Sequence, residues 1–301
     1  NVWDEASMVN EELTLSYLNA ILPQSKLIII FDFAQLPPIG SGDFTRDILL
    51  SKLHINKFTK VHRQGEKSGI LMDANKIRVG TNPLKGEDFS SKIVHGELQD
   101  MLYFMCSDKK AMQDLAIKAY MSAIKKTGVE DTVIITPRKQ NCTNSTLELN
   151  KIIQERVLPN ENQFIERKTK GKECKFKLGA KVMQKKNDYD KQVFNGDEGY
   201  IVEVKNDGIV IEFSLFDEVT KDIKKKCVEH DITELDNIEL SYAISVHSSQ
   251  GSQYHSVICL FDKDSYIMAN RRILYTAITR ASKRCILIAD PTIFSRCLSI
   301  D

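Results

Sequence analysis

The sequence predicts an α/β fold: a mostly parallel sheet layered with helices and interrupted by a small all-β unit. Three observations carry this. Short, wholly apolar runs bounded by polar residues recur at 27–31 (LIIIF), 132–135 (TVII), 257–261 (VICLF) and 285–289 (CILIA), as in strands buried on both faces of a parallel sheet. Between them lie apolar residues at a 3.6-residue period. Residues 171–234 abandon both patterns for alternation and turns.

The chain opens Asn1-Val2-Trp3 and passes at once into Asp4-Glu5-Ala6-Ser7. Only three residues precede the acids, against about 5–6 in a typical strand. The chain is therefore expected to start inside a strand, as part of a longer protein. Next comes the run 27–31, then Asp32-Phe33-Ala34-Gln35-Leu36-Pro37-Pro38. A polar tip on a buried strand, stiffened by two prolines, makes a rigid loop at the carboxyl edge of a sheet, where open α/β sheets bind ligands. Met112, Leu115, Ala116, Ala119 and Ala123 predict one helix, and Leu149, Ile152, Ile153 and Val157 another. In the interrupting stretch, 200–204 and 209–213 alternate around Asn206-Asp207-Gly208, a hairpin signal.

Composition excludes little. The chain has 301 residues, 42% apolar and 28% charged, which suits two or three soluble domains. A net charge of +1 means that any basic surface must come from local segregation. Seven scattered cysteines, with no C-x-x-C pair, read as reduced thiols of a cytoplasmic protein. No apolar run approaches the roughly 18 residues of a membrane helix, so no membrane partner is expected. From 167 to 186 nine basic residues, Lys181, Lys185 and Lys186 among them, face the single acid Glu173. A stripe that tracks phosphates looks like this, and so does a solvated face.

Taken singly, the polar motifs are weak. An Asp-Glu pair suits Mg²⁺ and an activated water, or merely a helix N-terminus. Gln35, both donor and acceptor, suits a terminal phosphate, or the loop is a simple turn. Arg63 in His62-Arg63-Gln64 and Arg280 in Tyr275-Thr276-Ala277-Ile278-Thr279-Arg280-Ala281 read singly as surface ion-pair residues.

Their order is more specific. Asp4-Glu5, the loop with Gln35, His62-Arg63-Gln64, His247-Ser248-Ser249-Gln250-Gly251-Ser252-Gln253 and the Arg280 motif follow one another as in superfamily 1 helicases. With Gly40-Ser41-Gly42-Asp43, Asn195-Gly196-Asp197-Glu198-Gly199 and 242–247 beside them, nearly the whole chain resembles the RecD/TraA family, the type of the exodeoxyribonuclease V alpha subunit.

That resemblance implies RecA-like P-loop NTPase motor domains, the first incomplete (1–94), the second at 95–170 and 235–301, with a small β-barrel inserted at 171–234. It implies ATP and Mg²⁺ as cofactors, single-stranded DNA and other helicase-nuclease subunits as partners, and 5′-to-3′ travel. Asp4 matches the Mg²⁺ ligand, Glu5 the catalytic base, Gln35 the γ-phosphate sensor, and Arg63 and Arg280 the arginines on the transferring phosphoryl group. Asp32, Gln250, Gly251 and Gln253 fall on the nucleotide side, and Thr136, Pro137, Arg138, His247 and Ser249 on the nucleic-acid side. Phe31 stands where the family has Gly, Ser248 where it has Lys and Gln253 where it has Glu. No G-x-x-x-x-G-K-[ST] loop, which would cradle phosphates, occurs in the 301 residues. It is expected upstream, with this portion inactive alone. Two other readings stay open: a nucleic-acid-binding module with a decayed ATPase site, and the helicase half of a conjugative relaxase.

Overall fold

The computed structural model describes residues 1–58, 67–168, 173–216 and 222–300. A small first unit holds β1 (Val2–Trp3), α1 (Glu11–Ala20), β2 (Ile28–Ile29) and α2 (Phe44–Leu50). β1 and β2 pair in parallel. The apolar run 27–31 thus gives a ladder of only two residues, and Ile28 and Ile30 stay exposed because no further strand flanks them among the described residues. Asn10 caps α1 by accepting from the Leu13 amide, which satisfies one of the helix's orphan donors.

The second unit is built on a six-stranded sheet in the order β13-β5-β14-β15-β4-β3. In chain order its elements are α3 (Gly69–Arg78), β3 (Ile93–His95), β4 (Met101–Met105), α4 (Lys109–Thr127), β5 (Thr132–Thr136) and α5 (Thr146–Val157). After the insertion follow β13 (Ala243–Ser245), β14 (Tyr254–Phe261), α6 (Arg271–Thr279), β15 (Ala281–Ala289) and α7 (Pro291–Ser299). All pairings are parallel except β3 with β4. The three remaining apolar runs form the middle of this sheet as β5, β14 and β15. Val133, Val257, Cys259, Cys285 and Leu287 pack on the face that carries α3, α6 and α7, and Ile134, Ile258, Leu260 and Ile288 on the other. Burial on both faces is why these strands read as unbroken apolar runs. The two helices expected from periodicity are α4 and α5.

The inserted stretch is antiparallel. β8 (Lys181–Gln184), β9 (Glu198–Val204), β10 (Gly208–Phe216), β11 (Ile223–Asp231) and β12 (Ile238–Leu240) form a sheet in the order β11-β10-β9-β8-β12. β6 (Phe164–Arg167) and β7 (Cys174–Lys177) form a hairpin that shares its core through Ile165 and Phe176. The β9–β10 turn falls at 205–207, where the sequence signals it, and Lys205 N donates to Gly208 O at 2.9 Å.

Ile70, Ala74, Ile77, Leu84 and Ile93 belong to the core beneath α6, as do Ala34 and Leu36. The strands of the antiparallel stretch run from Phe164 to Leu240.

Candidate nucleotide and nucleic-acid site

The first cluster lies at the carboxyl edge of β1 and β2. The ladder continues past the strands, with Ile30 N donating to Trp3 O at 2.8 Å and Ala6 N to Ile30 O at 3.0 Å. Asp4-Glu5 and Phe31-Asp32 therefore leave neighbouring parallel strands on one edge, as ligand-binding loops of α/β sheets do. Glu5 sits in the left-handed region at φ 51°, and its amide donates to Asp4 Oδ1 at 2.9 Å. A left-handed non-glycine residue costs about 1–3 kcal/mol and is kept where the surroundings enforce it. Asp4 is exposed. A carboxylate oxygen there fits Mg²⁺, which retains several waters and takes phosphate oxygens as further ligands.

The loop after β2 is gripped by the second unit. Asp32 Oδ1 accepts from Ala34 N at 3.0 Å, and Asp32 Oδ2 from the Tyr275 hydroxyl at 2.9 Å. Leu36 N donates to Thr276 Oγ1 at 3.0 Å, and Leu36 O accepts from Gln250 Nε2 at 3.2 Å. Burial, and then the Asp32 carboxylate, push the Tyr275 phenol up, so it stays protonated and donates. Asp32, read as a nucleotide contact, uses both oxygens to order its own loop and to hold α6. Gln35 lies between these anchors, 8% exposed, and its Oε1 is buried without a hydrogen-bond partner. An orphaned buried acceptor costs about 1–3 kcal/mol, and a phosphate-bound water or hydroxyl donor would relieve it.

Arg280 caps the end of α6 and is buried. Its Nε donates to Thr276 O at 3.2 Å and its Nη1 to Ser252 O at 3.1 Å. The guanidinium therefore braces the 247–253 loop against α6, directly behind the Leu36 anchor. Gly251 adopts φ 77° with open space where a Cβ would stand, and Gln253 is exposed. Gln35, Gln250 and Arg280 are thus brought together, with Asp4 and Glu5 on the adjoining sheet edge. Arg63 lies outside the described residues.

The nucleic-acid candidates divide. Thr136 and Ser245 are register partners at the ends of β5 and β13, so the Thr136-Pro137-Arg138 and His247–Gln250 segments leave the same edge of the sheet side by side. Thr136 is buried and donates to Asn144 O, and Ser249 is buried and donates to Val246 O. Both side chains, like buried Pro137, shape their loops and do not face a strand. Arg138 and His247 are half-buried. Burial, and then Lys139, hold the His247 imidazole below its usual range.

The basic stripe is corrected. Lys181 is only 1% exposed, with its ammonium 2.9 Å from Glu198 Oε2, 3.2 Å from Glu130 O and over the Tyr254 ring. Lys177 pairs with Glu155 at 2.7 Å, and Arg167 donates to Leu235 O and Ile238 O. Arg167 is tied within the insertion, and Lys177 and Lys181 tie the insertion to α5 and to the segment before β5. These partners lie far away in sequence, so a list of charges does not show them. Lys168, Lys175 and Lys186 remain exposed, Lys185 is half-buried, and Lys170 and Lys172 lie outside the described residues. Sequence reasoning placed Tyr275 and Thr276 in the Arg280 motif without giving either a role, and passed over Lys139. Thr276 stands one helical turn before Arg280, a spacing that puts both on one face.

A parallel sheet flanked by helices, with an antiparallel insertion, is the layered α/β architecture of RecA-like domains. The fold matches that of the Pif1 helicase from Bacteroides in complex with ADP-AlF3 and ssDNA, with a TM-score of 0.54 at 18% identity, over 98% of this chain and 71% of that one. In sequence, parts of the chain are similar to RecD-like helicases. Residues 149–213 match the family described as the SH3 domain of ATP-dependent RecD-like DNA helicases, and 240–288 that of the UvrD-like helicase C-terminal domain. It is 27% identical to the ATP-dependent RecD2 DNA helicase of Deinococcus radiodurans over 93% of this chain and 35% of the relative. It is 24% identical to the RecBCD enzyme subunit RecD of Mycolicibacterium smegmatis over 94% of this chain and 48% of the relative. The chain thus spans about a third to a half of these curated relatives. No helix of the described residues is long and apolar enough to cross a membrane.

Proposed function

We propose that the chain is the carboxyl-side motor portion of an ATP-dependent helicase that moves on single-stranded DNA, with 5′-to-3′ travel and association with other helicase-nuclease subunits following from its RecD-like character. The observation that carries the reading is the Leu36 anchor. One residue is held through its N–H by α6 and through its C=O by the 247–253 loop, and that loop leaves the sheet edge beside Arg138. A change beside Gln35 is therefore passed to the nucleic-acid edge through hydrogen bonds alone.

In the cleft, bound ATP and Mg²⁺ supply the phosphoanhydride and its charge neutralisation. Asp4 would hold the cation from the end of β1. Glu5, on the same edge, would orient the attacking water and take its proton. Gln35 Oε1 would gain a partner with the terminal phosphate in place and lose it on release. Arg280 and, by the family resemblance, Arg63 would stabilise charge on the transferring group. With no phosphate-cradling loop in its sequence, this 301-residue chain alone turns over no ATP.

The test is DNA-stimulated phosphate release. The full-length protein is expected to be active and to lose about 10²–10⁴-fold in turnover as Glu5→Gln, while the 301-residue chain is silent. Turnover by the short chain that vanishes in Glu5→Gln overturns the assignment of the phosphate cradle to another segment. Full activity of the full-length Glu5→Gln variant overturns the site.

A further inference from the structure

A buried polar cluster joins the inserted sheet to the start of β14, and the account of the nucleotide cleft leaves it unused. Tyr254, the first residue of β14, is 4% exposed, and its hydroxyl donates to Glu198 Oε1 of β9 at 3.1 Å. Lys181 of β8 completes the cluster, with its ammonium 2.9 Å from Glu198 Oε2 and 5.3 Å from the centroid of the Tyr254 ring. Burial, and then the Glu198 carboxylate, push the Tyr254 phenol well above its ordinary range, so it stays protonated and donates.

The backbone of the same residue reaches Arg280. Tyr254 N donates to Arg280 O at 2.9 Å, and Tyr254 O accepts from Ser282 Oγ at 3.1 Å. Two residues earlier, Ser252 O accepts from Arg280 Nη1 at 3.1 Å. The segment 252–254 therefore holds the arginine at both ends, its carbonyl through Tyr254 and its guanidinium through Ser252. The Tyr254 side chain ties that segment to the insertion, at Glu198, 56 positions away. Fixing the phenol thus fixes the short segment to which both ends of Arg280 are bonded.

We propose that Tyr254 is a positioning residue for Arg280, through which the inserted sheet holds the arginine ready for phosphoryl transfer. Tyr254 acts through Arg280 and not on the nucleotide, because its hydroxyl is engaged by Glu198 on the side of the insertion. A shift of β8 or β9 is thereby passed to the cleft. The role rests on the assignment of Arg280 to the transferring phosphoryl group.

The experiment is DNA-stimulated ATP turnover by the full-length protein, with urea unfolding alongside. Tyr254→Phe keeps the ring and the amide and removes only the hydroxyl. It is expected to lower kcat by about 10–100-fold, the scale of a small misplacement of a reacting group, while KM for ATP and oligonucleotide affinity hold. Lys181→Met with Glu198→Leu removes the acceptor of the phenol and should lower kcat equally. In an Arg280→Lys background Tyr254→Phe should cost less than about twofold more, because residues that act through one group are not additive. Tyr120→Phe is the control: its ring packs against Tyr242 beside the cluster, its buried hydroxyl has no hydrogen-bond partner, and its loss should leave kcat unchanged. Wild-type protein without DNA-stimulated turnover overturns the helicase reading and this role with it. Wild-type turnover with near-normal kcat in Tyr254→Phe overturns the role alone, even if that variant unfolds earlier, and so does full kcat in the Lys181→Met, Glu198→Leu variant. Losses that multiply in the Arg280→Lys background, or an equal loss in Tyr120→Phe, assign Tyr254 to packing and overturn the role as well.

Discussion

The Tyr275 hydroxyl donates to Asp32 Oδ2 at 2.9 Å, across 243 residues of sequence. It ties the loop that carries Gln35 to the helix that carries Arg280. Two further contacts cross between the same units: the Arg78 guanidinium lies 4.7 Å from the centroid of the Phe33 ring, and Arg272 lies 3.5 Å from Asp43.

Tyr275→Phe removes that bond with little change of shape. A hydrogen bond to a charged group contributes about 1.5–3 kcal/mol, and the partial exposure of Asp32 places the loss near the lower end. Denaturant unfolding should show a midpoint shift with unchanged slope. Turnover should fall while oligonucleotide affinity holds. Equal stability and turnover in Tyr275→Phe would show the contact to be incidental.

Arg280→Lys is expected to lower kcat of the full-length protein by roughly 10³-fold, with kcat/KM falling in parallel. Lysine lacks the planar fork that reaches Thr276 O and Ser252 O together. Nucleotide and DNA binding should persist. A variant that unfolds earlier yet keeps near-normal kcat would make Arg280 a brace for the 247–253 loop only.

Lys181 and Glu198 form an internal pair, with Lys181 almost wholly enclosed. Glu198→Gln leaves the ammonium without its countercharge and should cost about 3–5 kcal/mol. Lys181→Met with Glu198→Leu should recover most of that, because an apolar pair of similar volume avoids the desolvation cost. Thermal unfolding of the three variants checks it. A double variant no better than Glu198→Gln would mean that the hydrogen bond to Glu130 O, not the ion pair, is what the site needs.

His230 sets a pH dependence. It is buried in the inserted sheet with Nε2 lacking a partner. Burial, and then Lys191, hold its imidazole below the ordinary value of 6.5, against the opposing pull of Glu234, Asp188 and Asp231. Below that value the unfolded chain takes up the proton first. Stability is therefore full above pH 6.5 and falls as pH drops, by at most about 1.4 kcal/mol per pH unit for each such proton. His247 shifts in the same direction. His230→Gln should flatten part of this decline, read from urea midpoints across that range. An unchanged pH profile would place the titrating group elsewhere.

The sequence by itself determined the layered α/β class, the middle strands β5, β14 and β15, helices α4 and α5 and the β9–β10 hairpin. Each depends on a local period or a turn signal, and burial on both faces leaves an unbroken apolar run. Motif order likewise pointed to the similarity with RecD-like helicases. Only the tertiary structure decided what the polar residues do. Lys181 and Lys186 look alike in a list of charges, yet β8 packs one against Glu198, while the other lies past the strand's end in water. Asp32 reads as a nucleotide contact, and only the tertiary structure shows that Tyr275, 243 positions away, donates to its carboxylate. The same holds for Lys185 and Ser248, 63 positions apart. A side chain's partner is fixed by how the sheets pack, and no local period encodes that.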